Sequence, residues 1–253
     1  MPSVIALQAY TLRDYCKTPL EIARTLNRVK KIGYDAIEVA GFGPVGFKEL
    51  AKILDGEGLT CCGTHTPFEK LLADPERVIE DHALIQAKNT APGIMPNAYR
   101  ADGLAGYKRF ALEANLLALK LKPMGLSLSY HNHDFEFTRF GPKTGLEILF
   151  STALALSAEL DTYWIQAGGG DPAAWIRHVK GRLPLLHLKD MVYSGDKHVM
   201  AEVGEGNLNW PAILQAAADA GVHWYVVEQD TCKRDPFESI AISLANLKAM
   251  GLQ

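Results

Sequence analysis

Short β-branched and aliphatic runs alternate with longer amphipathic stretches along the whole chain. The runs are SVIALQA (3–9), DAIEVAG (35–41), LTCCGTH (59–65), LSLSYHNH (126–133), LSAELDT (156–162), LPLLHLKD (183–190) and WYVVEQD (224–230). Runs of this kind suit strands buried on both faces, as in a parallel sheet. Between them the spacing predicts helices over 20–32, 47–55, 76–87, 106–121, 172–180, 210–220 and 236–250. Thr18-Pro19, Asp74-Pro75, Asp171-Pro172 and Asp235-Pro236 each offer a capping side chain followed by proline at the first helical position. Gly33, Gly58, Gly125, Gly181 and Gly221 each close a helical stretch just before an apolar run.

Strand, helix, glycine, strand is the pattern of right-handed βαβ units. A weaker eighth strand is expected near 88–95 (KNTAPGIM), where prolines and polar residues blur the signal. Eight β/α units of roughly 30 residues would use the chain as one (β/α)8 barrel domain over residues 1–253. A doubly wound open sheet would usually carry a glycine-rich phosphate turn after its first strand. Here that strand runs into AYTLRDYCKTP, which has no such turn.

Composition narrows the partners. The net charge of -3 offers no global attraction to a phosphate backbone, so nucleic acid is not an expected partner. The cysteines, Cys16, Cys61, Cys62 and Cys232, form neither a C-x-x-C motif nor a stapling pattern. The opening MPSVIALQAYTLRDYC lacks a basic stretch followed by a long apolar run, and no window reaches the ~18–20 apolar residues of a membrane span. A reduced, soluble, cytoplasmic protein without a membrane partner is expected. A homo-oligomer stays open.

In a barrel the site lies at the C-terminal ends of the strands. Glu38 falls near the end of strand two, and His65 ends strand three. Strand five ends in Tyr130-His131-Asn132-His133-Asp134-Phe135-Glu136, strand six at Asp161, strand seven at His187-Leu188-Lys189-Asp190 and strand eight at Glu228-Gln229-Asp230. A single such residue is more often a capping or hydrogen-bonded loop residue. Successive strands ending this way are another matter, because unpaired buried carboxylates cost several kcal/mol each. A divalent cation with mixed imidazole and carboxylate ligands (Mn, Mg, Co, Zn or Fe) is the economical compensation. Strand alternation places His131 and His133 on one face and His187 and Lys189 on one face. In the plainer reading of HNH, one histidine supports the other by a hydrogen bond.

At these residues the chain resembles the xylose isomerase-like TIM-barrel superfamily, in the branch of sugar phosphate isomerases/epimerases that includes inosose dehydratase-like members. The motifs are YHNHDFEF (130–137), LDTYWIQAGGGDP (160–172), LLHLKDM (185–191), EVGEGNLNW (202–210) and YVVEQD (225–230), preceded by IALQAYTLRD (5–14) and KKIGYDAIEVAGF (30–42). The resemblance implies a divalent metal at the barrel mouth, held by residues of strands five to eight. By motif these are Asp161, His187 and Glu228. Strand five lacks the glutamate of the epimerase pattern before HNH, so either His131 takes its place or Glu136 folds back, and His131 is preferred.

The resemblance further implies proton abstraction beside a carbonyl of a sugar or cyclitol, with metal stabilisation of an enediolate. Glu136 or His133 is then the expected base and Lys189 the acid or oxyanion partner, with a lowered pKa; the plainer reading of Lys189 is a salt bridge to Asp190 or another rim carboxylate. Trp164, Tyr10 and His65 are expected on the substrate-facing wall. The run Gly168-Gly169-Gly170 is better read as a tight loop than as an anion cradle, and Glu205 is not counted in the site. Elimination by a dehydratase or lyase uses the same metal site. An endonuclease-IV-like phosphodiesterase would need a multinuclear cluster and a basic rim, and the intact ligand set speaks against a non-catalytic sugar-binding relative.

Overall fold

In the computed structural model, which describes residues 4–252, parallel strands close into an eight-stranded barrel. In chain order they are β1 (Val4–Gln8), β2 (Ala36–Val39), β3 (Thr60–His65), β4 (Asn89–Ala91), β5 (Ser127–His131), β6 (Ser157–Asp161), β7 (Leu185–Leu188) and β8 (Trp224–Val227). The barrel closes where β1 pairs with β8, Val4 opposite Trp224 and Leu7 opposite Val227. The weak segment at 88–95 contributes only Asn89–Ala91 to the ladder. Pro92 follows directly and has no N–H to extend it.

The helix signals act as the local chemistry dictates. Thr18 and Glu21 form a reciprocal capping box, and Asp74, Asp171 and Asp235 accept backbone N–H groups of the helices they open. Gly33 closes the first helix (Pro19–Ile32) at φ 116°, in the left-handed region that glycine enters without strain. Some elements depart from expectation. Gln86, not a glycine, turns the chain at φ 56° after the helix Pro75–Leu84. A hairpin, Asp190–Ser194 with Lys197–Ala201, rises from the end of β7. Short helices at Phe68–Ala73, Gly145–Thr152 and Thr162–Ala167 were also not foreseen.

Two apolar layers hold the barrel. The larger lies between strands and helices and joins Leu7, Ile37, Tyr130, Leu160 and Leu186 to Ile22, Leu26, Phe110, Ile213 and Leu244. The smaller is a plug of Ala6, Ala36, Cys62, Leu185 and Val226, partly covered by Val4 and Trp224. Glu38, His187 and Glu228 follow Ala36, Leu185 and Val226 by two residues. Strand alternation therefore aims them into the same interior, one layer nearer the mouth. The cysteines are free thiols, and Cys61 and Cys62 are both buried. Among the described residues, no helix is long and apolar enough to cross a membrane.

Asp190 faces away from the mouth and anchors a loop. Its carboxylate accepts the backbone N–H groups of Met191 (2.7 Å), Gly204 (2.9 Å), Gly206 (3.0 Å) and Leu208 (3.3 Å), and the Trp210 indole N–H at 2.6 Å. A side chain at Gly206 would collide with this carboxylate, so the glycine allows the close approach. The VGEGNLNW segment is thus a strap tied to the end of β7, and Glu205 points outward to Arg234. Asp190→Ala, which strands these buried donors, is expected to cost about 3–5 kcal/mol. Urea unfolding measures this, and a loss within experimental error would remove the anchor role.

Candidate metal centre and barrel mouth

The C-terminal ends of the strands surround a cavity of about 730 Å³, lined by Tyr10, His65, His131, His133, Trp164, Met200, Glu228 and Asp230 among others. A cavity of about 510 Å³ at the opposite end has Lys88, Lys122 and Arg182 in its wall. The Arg182 guanidinium there is spent on the carbonyls of Phe150, Ala153 and Leu156. The ionisable clusters converge only at the first of these cavities.

The deeper layer is a chain of carboxylates and imidazoles. His187 Nδ1 lies 2.9 Å from Glu228 Oε2, and its Nε2 lies 2.7 Å from Glu38 Oε2. His65 Nε2 lies 2.7 Å from Glu159 Oε1. Gly93 is required beside it, since a Cβ there would stand 2.8 Å from His65 Nδ1. Burial alone would push the His187 imidazole down, but Glu38 and Glu228 outweigh it and hold its pKa well above the usual value. Burial and the neighbouring Glu38 raise the Glu159 pKa.

Above this layer His131, Asp161, His187 and Glu228 bring donor atoms within 4.8 Å of one another. His131 Nε2 is 3.5 Å from Asp161 Oδ2 and 3.8 Å from Glu228 Oε2. Burial, then the neighbouring His187 and His65, holds His131 neutral with its pKa well below the usual value. Both its ring nitrogens are buried without a hydrogen-bond partner. Asp161 divides its labour: Oδ1 accepts the Trp164 N–H at 2.9 Å and caps the following short helix, leaving Oδ2 to the cluster. Asn132 Oδ1 accepts the Asp161 N–H at 3.0 Å, tying the ends of β5 and β6 together.

This donor set fits a divalent cation. Glu38, Glu159, Asp161 and Glu228 are all buried, and among the described residues Lys189 is the one buried ammonium, held against Asp161 and Glu228. A neutral imidazole with free nitrogens is a ready ligand. His187 held at Nε2 by Glu38 has Nδ1 facing the donor group, the way an outer carboxylate orients a ligating histidine. Glu38, His65, Glu159 and His187 form a second group with metal-ligand spacing, sharing His187. The hydrogen-bonded pairs within it, His65 with Glu159 and His187 with Glu38, identify it first as the support of the upper group.

The expected residues divide. His131, Asp161, His187 and Glu228 come together, Lys189 joins them, and Tyr10, His65 and Trp164 stand at the cavity wall. His133 also reaches the wall, but β5 ends at His131 and the rings meet edge to face at 5.1 Å, without the expected hydrogen bond. Burial and the nearby His131 and Lys189 push the His133 pKa down to about 3. Glu136 is not brought to the cavity. Its carboxylate accepts the Tyr130 hydroxyl and, at 2.8 Å, the His133 N–H, which turns it behind β5. Lys189 does not pair with Asp190, nor is its pKa lowered: burial pulls it down, but Asp161, Glu228 and Asp230 outweigh that and hold it above the usual value.

Gly168 and Gly170 make room for the Phe137 ring, so the glycine run is a packing loop. Glu159, Asn132, Thr162 and Met200 were missed as site residues. Glu159 had a readable signal, a carboxylate two positions before Asp161 on the same strand face. Thr162 had none. Its hydroxyl accepts the Lys189 N–H at 3.0 Å and donates to the Lys189 carbonyl at 2.9 Å, a contact between strands that only the closed barrel creates.

A family model described as a xylose isomerase-like TIM barrel matches residues 26–250, and the chain belongs to that family. Among solved structures, it is similar to a sugar phosphate isomerase/epimerase from Parabacteroides distasonis, at 26% identity and TM-score 0.79, covering 99% of this chain and 96% of that one. An L-ribulose 3-epimerase shares the fold at 18% identity and TM-score 0.70, with 98% of this chain and 94% of that one covered. The probable 3-DHS dehydratase AsbF of Bacillus anthracis shares it at 13% identity and TM-score 0.69, over 98% and 99% of the two chains. No curated protein matches the chain in sequence.

The position of Glu136 is directly testable. Glu136→Gln can still accept the His133 N–H and meet the Tyr130 hydroxyl, so its stability is expected within about 1 kcal/mol of the parent. Glu136→Ala leaves both groups buried and unpaired and is expected to lose about 2–4 kcal/mol. Equal stability of all three proteins in urea unfolding would remove the brace.

Proposed function

We propose that the chain is a metal-dependent sugar isomerase or epimerase that removes a proton next to a carbonyl. The observation that carries this reading is the convergence of His131, Asp161, His187 and Glu228 at the foot of a cavity sized for a small molecule, with both His131 nitrogens unpaired. When bound, a divalent cation supplies Lewis acidity to adjacent substrate oxygens. Asp230 lies on the cavity wall at the mouth, outside that donor group, where a carboxylate can reach a substrate C–H bond. It takes the proton in this reading, and Lys189, 3.0 Å from Asp230 Oδ2, donates to or steadies the developing oxyanion. Trp164 Nε1 and His133 Nδ1, both buried without partners, are the groups offered to substrate hydroxyls. Glu136 acts as the brace of the β5 turn.

One observation favours a second outcome. Apart from Asp161 among the metal donors and Glu69 on the outer wall, the carboxylates at the mouth, Glu228 and Asp230, follow β8, while the β5 side presents the imidazoles of His131 and His133. One-sided proton removal suits elimination: the C–H electrons form the new double bond, a β-hydroxyl leaves with a proton from the Lys189 ammonium, and water is lost. The dehydratase on the same fold is in keeping with this. The phosphodiesterase alternative lacks its basic rim. Arg13, the cation at the wall, is spent on the carbonyls of Tyr10 and Asp230, and Glu69 lines the same cavity.

His187→Ala and Glu228→Ala are expected to lose the metal, read by elemental analysis, and all turnover; full metal content in both would sink the assignment. At saturating metal, Asp230→Asn is expected to lower kcat by about 10²–10⁴-fold. Proton NMR in deuterated water with ketoses and inososes separates the outcomes. Exchange with retention of the carbon skeleton and its hydroxyls marks the isomerase, loss of water the lyase, and neither with any substrate would refute the proposal.

A further inference from the structure

Lys189 is 1% exposed, and its ammonium lies 3.0 Å from Asp161 Oδ2, 2.9 Å from Glu228 Oε2 and 3.0 Å from Asp230 Oδ2. The first two oxygens are also those nearest His131 Nε2. They are therefore the oxygens that a cation held jointly by His131, Asp161 and Glu228 would need. The third, on Asp230, belongs to neither group of four donors. Its side chain is 26% exposed and forms part of the cavity wall. Thr162 grips the Lys189 backbone through its N–H and its carbonyl. The main chain is thus fixed, and only the flexible side chain can redistribute the charge.

An ammonium lodged between two carboxylate oxygens and a dication coordinated by the same two oxygens want the same lone pairs. They also repel each other strongly where little water screens them. We propose that Lys189 is the built-in counterion of the metal-free site and competes with the metal for Asp161 and Glu228, withdrawing to Asp230 when a divalent cation binds. The inference rests on the reading of His131, Asp161, His187 and Glu228 as metal donors. It adds a function for a residue otherwise assigned only to substrate chemistry: Lys189 keeps the buried carboxylates neutralised before loading and sets how tightly the metal is held. Asp230 is the other half of the device, because it receives the ammonium without leaving it unpaired.

The test uses the full chain, stripped with chelator and titrated with Mn²⁺ by calorimetry, with melting temperatures taken before and after loading. Lys189→Met is expected to bind Mn²⁺ roughly tenfold or more tightly than the parent. Its metal-free form should melt lower, and Mn²⁺ should raise its melting temperature by more than it raises that of the parent. Asp230→Asn, which removes the place of withdrawal, is expected to weaken binding roughly tenfold. A crystal structure of the Mn²⁺-loaded parent decides the matter without any variant. The Lys189 Nζ should have left Asp161 and Glu228 and kept Asp230.

An ammonium still hydrogen-bonded to both metal-bound oxygens would overturn the proposal and leave the metal site standing. So would equal or weaker Mn²⁺ binding by Lys189→Met alongside a parent that binds. Failure of parent and variants alike to bind Mn²⁺ would overturn both the competition and the metal-site reading beneath it.

Discussion

Burying Glu38, Glu159, Asp161 and Glu228 inside one barrel is the constraint that organises the rest of the molecule. Carboxylates removed from water are tolerated only when cations and directed hydrogen bonds replace their hydration. Here the replacement comes from His65, His187 and Lys189, each placed between two or more acidic groups. The interior plug of small and medium apolar residues below them leaves the upper barrel to this charged layer. Adhesion of the barrel therefore falls mainly on the outer layer, where strand residues such as Leu7 and Leu186 meet the helices.

The site depends on residues that never touch its cavity. Asn132 ties β5 to β6, Thr162 ties β6 to the segment after β7, and Thr11 accepts the Gln229 N–H next to Glu228. Each fixes the backbone of a neighbouring donor and leaves the side chain free. Asp190 does the same for the loop behind the mouth, so adjacent residues of HLKD face opposite tasks, Lys189 inward and Asp190 outward. The period-two geometry of an extended chain is enough to produce that division.

Much of this was legible in the chain. The strand runs and helix caps located the barrel elements to within a few residues, because apolar periodicity and capping are local interactions. His131, Asp161, His187 and Glu228 stood out as ionisable residues at the ends of apolar runs, and the structure gathers them. Glu136 looked equally eligible by position. Whether a carboxylate three residues past HNH turns into the mouth or behind the strand depends on Tyr130, whose hydroxyl claims it. That partner becomes visible only when the outer layer is packed. The hairpin after β7 was hidden for a different reason. Its strands pair with each other outside the barrel, and the apolar pairs Met191-Val192 and Val199-Met200 are too short to mark it.

The order of strands and helices, the capped helix starts and the aim of alternate residues into the barrel follow from the sequence alone, since each rests on neighbours a few positions apart. The charge states do not. Lys189 and Asp230 are 41 positions apart, and His187 and Glu38 are 149. Only barrel closure brings them to hydrogen-bonding distance, removes the water between them and lifts the Lys189 and His187 pKa values instead of depressing them. Tertiary structure decided which carboxylates serve the mouth and which merely brace it, because desolvation and pairing depend on what surrounds a group in space.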